Sequence, residues 1–571
     1  MRVSESSGSV TVQAIAGTYV VLFGISVKPE VVDDLLGFSI ERKEKSSGKS
    51  VFLDNFVLFE HNDKGSDSDH SSELNPFQAF VWGDYTVKPG EDYTYTVSAR
   101  GGTPENLTTG DSVALEVTTE SVSDGEHAIF FNRGAATSQA YATRFPELHG
   151  KAPTGEARAW LSRGLEEAIL DFIALAKGPK WSLRAAIYEF QYQPVLEAFK
   201  AASEAGADVK IVWDDIVNEE ESPRKKNTEA IAEAGIEGIC IPREKSKNIA
   251  HNKFVVLLED DEPVEVWTGS TNITDGGIFG HSNVGHQVRD PKVAARYLAY
   301  WNELAKDPLA DPLKDWTVGD VVPPEETPEQ MLGLADPKPP EGVVRTVFSP
   351  RHGVKALQWY AKLMEGAKSS VFLTAAFGVS KQLRDIFEED VDYLRYLLLD
   401  NRDGKIDTVA RGIEADSDNQ VVAGAFIGED SSKDGWHQWA KEALTGLNNH
   451  VQFIHTKYML IDPLGDDPIV ITGSANFSEA STADNDENML VIRGDTRVAD
   501  VYLGEFMRLF SHFRLRGRVN AAPDKLLPVA GVPSEHAAED KIYLKDDSSW
   551  AKPAYVPGSP EEKERLLFSG A

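Results

Sequence analysis

Along the first 125 residues apolar and polar positions alternate with a period of two. Val10 to Val27, Phe77 to Val87, Tyr93 to Ala99 and Ser112 to Thr118 read as strands, separated by turns rich in Gly, Pro, Asp and Ser. Tyr93, Tyr95, Val97 and Ala99 fall on one face of their strand, which predicts an all-β sandwich with those side chains in its core. The period then changes. From Ala157 to Ala176 apolar residues recur at helical spacing, and Leu183 to Phe190 reads as a strand. A helix through about Ala205 and a strand at Val209 to Trp213 complete a βαβ-like unit. The pattern restarts at Val344, with a helix over Ala356 to Lys368 and a strand over Ser370 to Phe377. The expected fold class is therefore α/β: two α/β sandwich halves preceded by an all-β sandwich domain. The units are a β-domain (1–125), a linker (126–155), a first half (156–315), a Pro- and Glu-rich linker (316–343), a second half (344–520) and a C-terminal arm (521–571). Trp550, Tyr555 and Leu566 to Phe568 give that arm enough apolar surface to pack.

The two halves repeat one another without a gap at an offset of 204 residues (251 to 455). His251, Lys253, Gly269, Ser270 and Asn272 recur as His455, Lys457, Gly473, Ser474 and Asn476. Residues i and i+2 on a strand share a face, so His251 pairs with Lys253 and Ser270 with Asn272. If the strand Phe254 to Leu258 returns antiparallel as Val264 to Trp267, the four side chains of each copy converge. Two such half-sites need only a pseudo-twofold interface to become one.

With its duplicated H-x-K and G-S-x-N motifs the chain resembles the phospholipase D superfamily over roughly residues 150 to 520. The second copy is complete, with Asp462 following Lys457 after four residues and Gly473-Ser474-Ala475-Asn476 behind it. The first copy has Leu258 where the aspartate belongs, with Glu259 and Asp260 only nearby. The resemblance implies two α/β halves of phospholipase D type that share one site. It implies His251, Lys253, His455 and Lys457 as catalytic, Ser270, Asn272, Ser474 and Asn476 as ligands of the substrate phosphate, and Asp462 as structural support. It also implies a glutamate on one histidine, a role assigned to Glu487; Asn283 or Gly285 stands opposite it in the first copy, depending on the gap. By the same analogy His251 is the nucleophile and His455 the acid/base. In the β-domain, Val87 to Ala99 resembles the E–F corner and F strand of a fibronectin type III-like sandwich, with a long polar insert from His61 to Glu73 as a departure. An adhesion or substrate-presenting module and a structural cap both fit it.

The residue types suit phosphodiester chemistry. Two lysines and two amides offset the charge that repels a nucleophile. Two imidazoles divide the work, one attacking phosphorus and the other protonating the leaving alcohol. No cofactor or metal is expected: there is no H-E-x-x-H and no paired cysteine spacing, and the loop Asp63 to Asp69 lacks the pattern of a calcium loop. His281 and His286 fit strand packing or substrate contact; His352, His437, His450 and His512 fit structural or surface roles.

Charge bears on the substrate. With 91 acidic against 58 basic residues, the net charge of −33 opposes global attraction to nucleic acid or to anionic membranes, so either must be bound locally at the lysine-bearing cleft. The preferred substrate is a glycerophospholipid, hydrolysed or exchanged at its headgroup. Nucleic acid is the alternative, and a non-catalytic adaptor with a degenerate site the third. Aromatic residues near the strands, Tyr188, Phe190, Trp267 and Phe377, fit a lipid or the core. No apolar run is long enough to span a bilayer, which leaves at most peripheral membrane contact. The start carries no basic segment leading into an apolar one, so the expected location is cytoplasmic, with export by another route left open. The lone Cys240, between Ile239 and Ile241, reads as a core strand position, and no oligomer is required to complete the site.

Overall fold

The fold was read from a computed structural model, which describes residues 1–134, 141, 144–148, 151–217, 223–319, 326–424, 453–520 and 543–571. His437 and His450 lie outside these residues, as do parts of both expected linkers and of the C-terminal arm.

The alternating N-terminal segment forms two four-stranded antiparallel sheets. One runs Arg2–Ser7, Val10–Ala16, Val21–Val27, Val81–Asp84, and the other Ser50–Phe52, Gly37–Glu44, Asp92–Thr103, Asn106–Thr118. Tyr93, Tyr95 and Val97 are buried between them, and the Tyr93 hydroxyl accepts the Lys88 amide at 2.9 Å across the corner. The C-terminal arm closes this sandwich. The Trp550 ring lies tilted against Phe80, 5.1 Å between centroids, and donates through Nε1 to Leu35 O at 3.1 Å. The helix Pro560–Ser569 lies so close to Val21–Val27 that a Cβ on Gly24 would meet Phe568 O at 2.0 Å. Trp550→Ala removes a side chain that is 4% exposed. It is expected to cost about 3–5 kcal/mol of stability, measured by urea unfolding.

Each α/β half carries a seven-stranded sheet. The first runs Cys240–Arg243, Asp208–Asp214, Trp181–Ile187, Lys253–Glu259, Glu262–Gly269, Val284–Val288, His127–Phe131; the second runs Asn419–Ala423, Leu394–Leu399, Ser370–Ala375, Tyr458–Ile461, Ile469–Gly473, Glu487–Arg493, Val344–Ser349. In both, three parallel strands precede an antiparallel hairpin that starts just after the motif histidine. Two expected boundaries shift. Residues 127–131, read as linker, are the outer strand of the first sheet, because His127–Phe131 is apolar enough to pair with Val284–Val288. The Pro-rich segment begins inside the helix Ala310–Gly319 and is pinned further on where Trp359 Nε1 donates to Pro337 O at 2.7 Å.

The halves share one apolar core. Phe254, Val256 and Tyr297 of the first belong to the same buried cluster as Tyr458, Leu460, Tyr502 and Phe506 of the second. This seam sets the two motif-bearing hairpins side by side. Backbone bonds also cross it, from Ser282 N to Phe453 O at 2.8 Å and from Asp486 N to Ile249 O at 3.0 Å.

Candidate active site

Each motif histidine is oriented by a side chain from the opposite half. His251 Nδ1 lies 2.9 Å from both oxygens of Glu487, and His455 Nδ1 lies 2.9 Å from Asn283 Oδ1. Glu487 and Asn283 are themselves related by the 204-residue offset (283 to 487), so the crossed contacts obey the pseudo-twofold. The proton positions follow from the partners. A carboxylate only accepts, so His251 carries its hydrogen on Nδ1. The Asn283 amide nitrogen donates to Gly277 O at 2.8 Å and to His281 Nδ1 at 2.9 Å, which turns its oxygen toward His455 and puts that hydrogen on Nδ1 as well. Both rings are thereby left with an unprotonated Nε2 for chemistry.

Ser270 and Ser474 differ from the phosphate ligands expected. Ser474 Oγ donates to Glu487 at 2.7 Å and accepts the Asn488 amide at 3.0 Å; Ser270 Oγ donates to Asn283 Oδ1 at 2.8 Å and accepts the Val284 amide at 3.1 Å. With its single proton committed, each hydroxyl braces the orienting group instead. Gly269 and Gly473 precede them because a Cβ there would meet Val284 O at 2.2 Å and Asn488 O at 2.3 Å.

The lysines fold back over their own loops: Lys253 Nζ donates to His251 O at 2.7 Å and Lys457 Nζ to His455 O at 2.5 Å. Asn272 donates to Glu189, while its Oδ1 and that of Asn476 are buried without a hydrogen-bond partner within the protein. Asp462 lies away from this cluster. Its carboxylate collects the amides of Lys368, Ser369 and Ser370 at 2.7–3.1 Å, tying the hairpin to the start of the neighbouring strand. The first half has no such carboxylate because its hairpin is a two-residue turn: Asp260 and Asp261 take positive φ between the paired Glu259 and Glu262, and Leu258 goes into the core.

Two aromatic neighbours lay beyond the motif. The Tyr188 ring sits edge-on to His251 at 4.8 Å, with the Lys253 ammonium 5.2 Å over its face, and His281 lies 4.8 Å from His455. His286 bonds His127 at 2.8 Å and the Tyr502 hydroxyl at 3.0 Å, in the seam between the halves. His352 is exposed beside Asp315, and His512 is half-buried on the helix Thr496–Asn520. Phe377 is 55% exposed, whereas Phe190 and Trp267 are core. Among the described residues no cluster of His, Cys, Asp or Glu could hold a metal ion, and no helix is long and apolar enough to cross a membrane.

Burial dominates the electrostatics. It pushes His251 down to about 4, against the pull of Glu487, and holds His455 well below the ordinary imidazole range, where both lysines lower it further. Burial also brings Lys253 down to about 8 and Lys457 well below the usual ammonium range, with each ammonium lowering the other half's histidine. Both imidazoles are consequently neutral in the free protein near pH 7. His127 and His281 are depressed by burial to about 4 and about 3. Since these groups bind more protons unfolded than folded below about 6.5, their contribution to stability is present above that pH and lost as pH falls toward 4. Thermal unfolding scans should show a falling Tm across that window, and His281→Asn should make the fall shallower.

The sequence model described as "Cardiolipin synthase, PLD-like domain" matches residues 169–305 and 413–510, segments that contain both motif copies. Over these segments the chain is similar to the phospholipase D superfamily. Solved structures to which the chain is similar include phosphatidylserine synthase from Haemophilus influenzae Rd KW20 (10% identity, 62% of this chain and 85% of that one, TM-score 0.40). Nuc from Salmonella typhimurium, a phospholipase D family member, matches at 28% identity over 25% of this chain and 87% of its own, with a TM-score of 0.21. Polyphosphate kinase from Porphyromonas gingivalis matches at 10% identity over 59% of this chain, with a TM-score of 0.35; this chain spans 46% of that enzyme. No curated protein matches the sequence. In this chain the two seven-stranded sheets are preceded by the β-sandwich.

Proposed function

We propose that this chain is a metal-independent phosphodiesterase working through a phosphohistidine, with His251 as nucleophile and His455 as acid and base. The crossed orienting contacts carry this reading: Glu487 supports the positive charge that develops on a ring bonded to phosphorus, and the neutral Asn283 does not oppose loss of a proton from His455. Nε2 of His251 attacks phosphorus, the P–O bond to the leaving alcohol breaks, and that oxygen takes a proton from Nε2 of His455. His455 is neutral in the free protein, so it takes up that proton as the anionic substrate offsets Lys253 and Lys457. Water, giving its proton back to His455, then attacks phosphorus and breaks the P–N bond; an alcohol in its place would complete a transfer. Lys253, Lys457, Asn272 and Asn476 hold the phosphate, while Ser270, Ser474 and Asp462 act on the site only through their neighbours.

A glycerophospholipid is the substrate class we favour, on the similarity to the cardiolipin synthase, PLD-like domain family and the net charge of −33, which works against polyanionic nucleic acid. Pure protein in EDTA is expected to release headgroup from phospholipid vesicles and to leave plasmid intact. Nicked plasmid with untouched lipid would establish the nuclease reading. Inertness toward both, together with no covalent phosphohistidine on acid-free trapping, would leave the adaptor reading.

A further inference from the structure

Immediately before each motif histidine the chain runs outside the regular strands of its sheet, and in both halves a buried aspartate takes backbone amides there. Asp214 Oδ2 accepts the Ala250 amide at 2.7 Å. Asp400 Oδ1 accepts the amides of Phe453 and Ile454 at 2.7 and 2.8 Å. Ala250 and Ile454 are the residues directly preceding His251 and His455. The aspartates are topological equivalents: Ile187 pairs with Trp213 and Ala375 with Leu399, and each aspartate follows at once. They stand 186 residues apart (214 to 400) rather than 204, so no ungapped alignment of the motifs reveals them.

Both side chains are almost wholly buried, Asp214 at 0% and Asp400 at 2% exposure. Burying a carboxylate against backbone amides is expensive unless the geometry it fixes has a use. Apolar contacts alone would leave the amides of Ala250, Phe453 and Ile454 without acceptors. Each aspartate also acts electrostatically on the motif lysine of its own half, Asp214 on Lys253 and Asp400 on Lys457, raising the affinity of that lysine for its proton. Each aspartate therefore fixes the backbone beside the imidazole and, when ionised, favours the charged form of the neighbouring lysine; burial raises Asp214 to about 7, so near neutral pH it is partly protonated.

We propose that Asp214 and Asp400 are a duplicated pair of positioning residues, Asp214 acting through His251 and Asp400 through His455. The pair deepens the phosphodiesterase reading and rests on it for the kinetic part of the test. Because each clamp serves one imidazole, the two should fail differently. The kinetic test uses bis(p-nitrophenyl) phosphate, whose leaving group needs no protonation, beside a phosphodiester with an alkyl leaving group. Asp214→Ala should lower the rate of the first chemical step by about 100-fold on both substrates, with KM within about threefold. Asp400→Ala should do so only on the alkyl ester, and Asp214→Asn and Asp400→Asn, which keep one acceptor oxygen, should recover most of the loss.

The spectroscopic test needs no turnover. With 15N-histidine labelling, and assignment by His251→Ala and His455→Ala, the hydrogen-bonded Nδ1–H resonance of His251 should disappear in Asp214→Ala and persist in Asp400→Ala, with the reverse for His455. Should the alanine variants not fold, the asparagine variants carry the same selectivity as a shift of one resonance and not the other. Both resonances unchanged in every folded variant, or both lost together in each, would overturn the assignment whatever the enzyme turns out to cleave. A wild type inert toward both esters, with the selective resonance changes present, would instead remove the phosphodiesterase reading and leave the clamps standing.

Discussion

His251→Ala is expected to lower turnover of an alkyl phosphodiester by about 10⁴-fold or more and to abolish the covalent adduct on every substrate, because in the proposed reaction it removes the atom that bonds to phosphorus. His455→Ala should be as damaging on that substrate, since a poor leaving group needs its proton. The two variants separate when the leaving group is p-nitrophenolate. His455→Ala should then still release one equivalent in a burst, with the adduct accumulating because no base activates water; His251→Ala should give none. Rapid-quench release of p-nitrophenol and intact-protein mass at neutral pH measure both. A burst from His251→Ala and none from His455→Ala would reverse the roles, and comparable residual turnover in both would remove the shared site. Neither change should unfold the protein: Glu487 retains Ser474 at 2.7 Å and Asn485 at 3.3 Å, and Asn283 retains Ser270 and Gly277.

The motif side chains were legible in the sequence because the duplication is ungapped between Lys253 and Asn272: hairpins with the same strand pairing reproduce the same spacing. The same offset pointed to Asn283 opposite Glu487, but nothing in the letters says that each reaches across to the other half's ring. That depends on the apolar seam around Tyr297, Tyr458 and Tyr502, which only the folded chain brings together. The serines misled for a related reason. A hydroxyl beside a phosphate motif reads as a ligand, whereas its direction is set by the next strand, where Glu487 and Asn283 lie. Asp214 and Asp400 escaped because the segments separating them from their histidines differ in length. A usable signal was present in the aspartate closing each second parallel strand, Val209 to Asp214 and Leu394 to Asp400. The strand His127–Phe131 was missed because it is separated in sequence from the sheet it joins by the helices that precede Trp181–Ile187.

Glu487→Gln isolates what the carboxylate adds beyond holding the ring. Glutamine can accept the Nδ1–H bond much as Asn283 does for His455, but it carries no charge to oppose that of a phosphorylated or protonated imidazole. The expected loss in kcat is about 100- to 1000-fold, within the usual range for a general acid–base contribution and smaller than loss of the nucleophile. The pH profile gives the sign. The acid limb of kcat/KM reports the free protein's His251, which must be neutral to attack, and stands at about 4 with Glu487 raising it against burial. Removing the charge takes away that raising influence, so the limb should move to lower pH even as the plateau falls. A limb that rises, or a plateau that is unchanged, would mean that Glu487 does not act through His251. Asn283→Asp supplies the opposite case: a carboxylate beside His455 raises its affinity for the proton, so the alkaline limb of kcat should move up while His455 becomes a weaker acid toward alkyl leaving groups. If both limbs move in these opposite directions, the division of labour resides in one charged and one neutral side chain placed at equivalent positions of a duplicated fold.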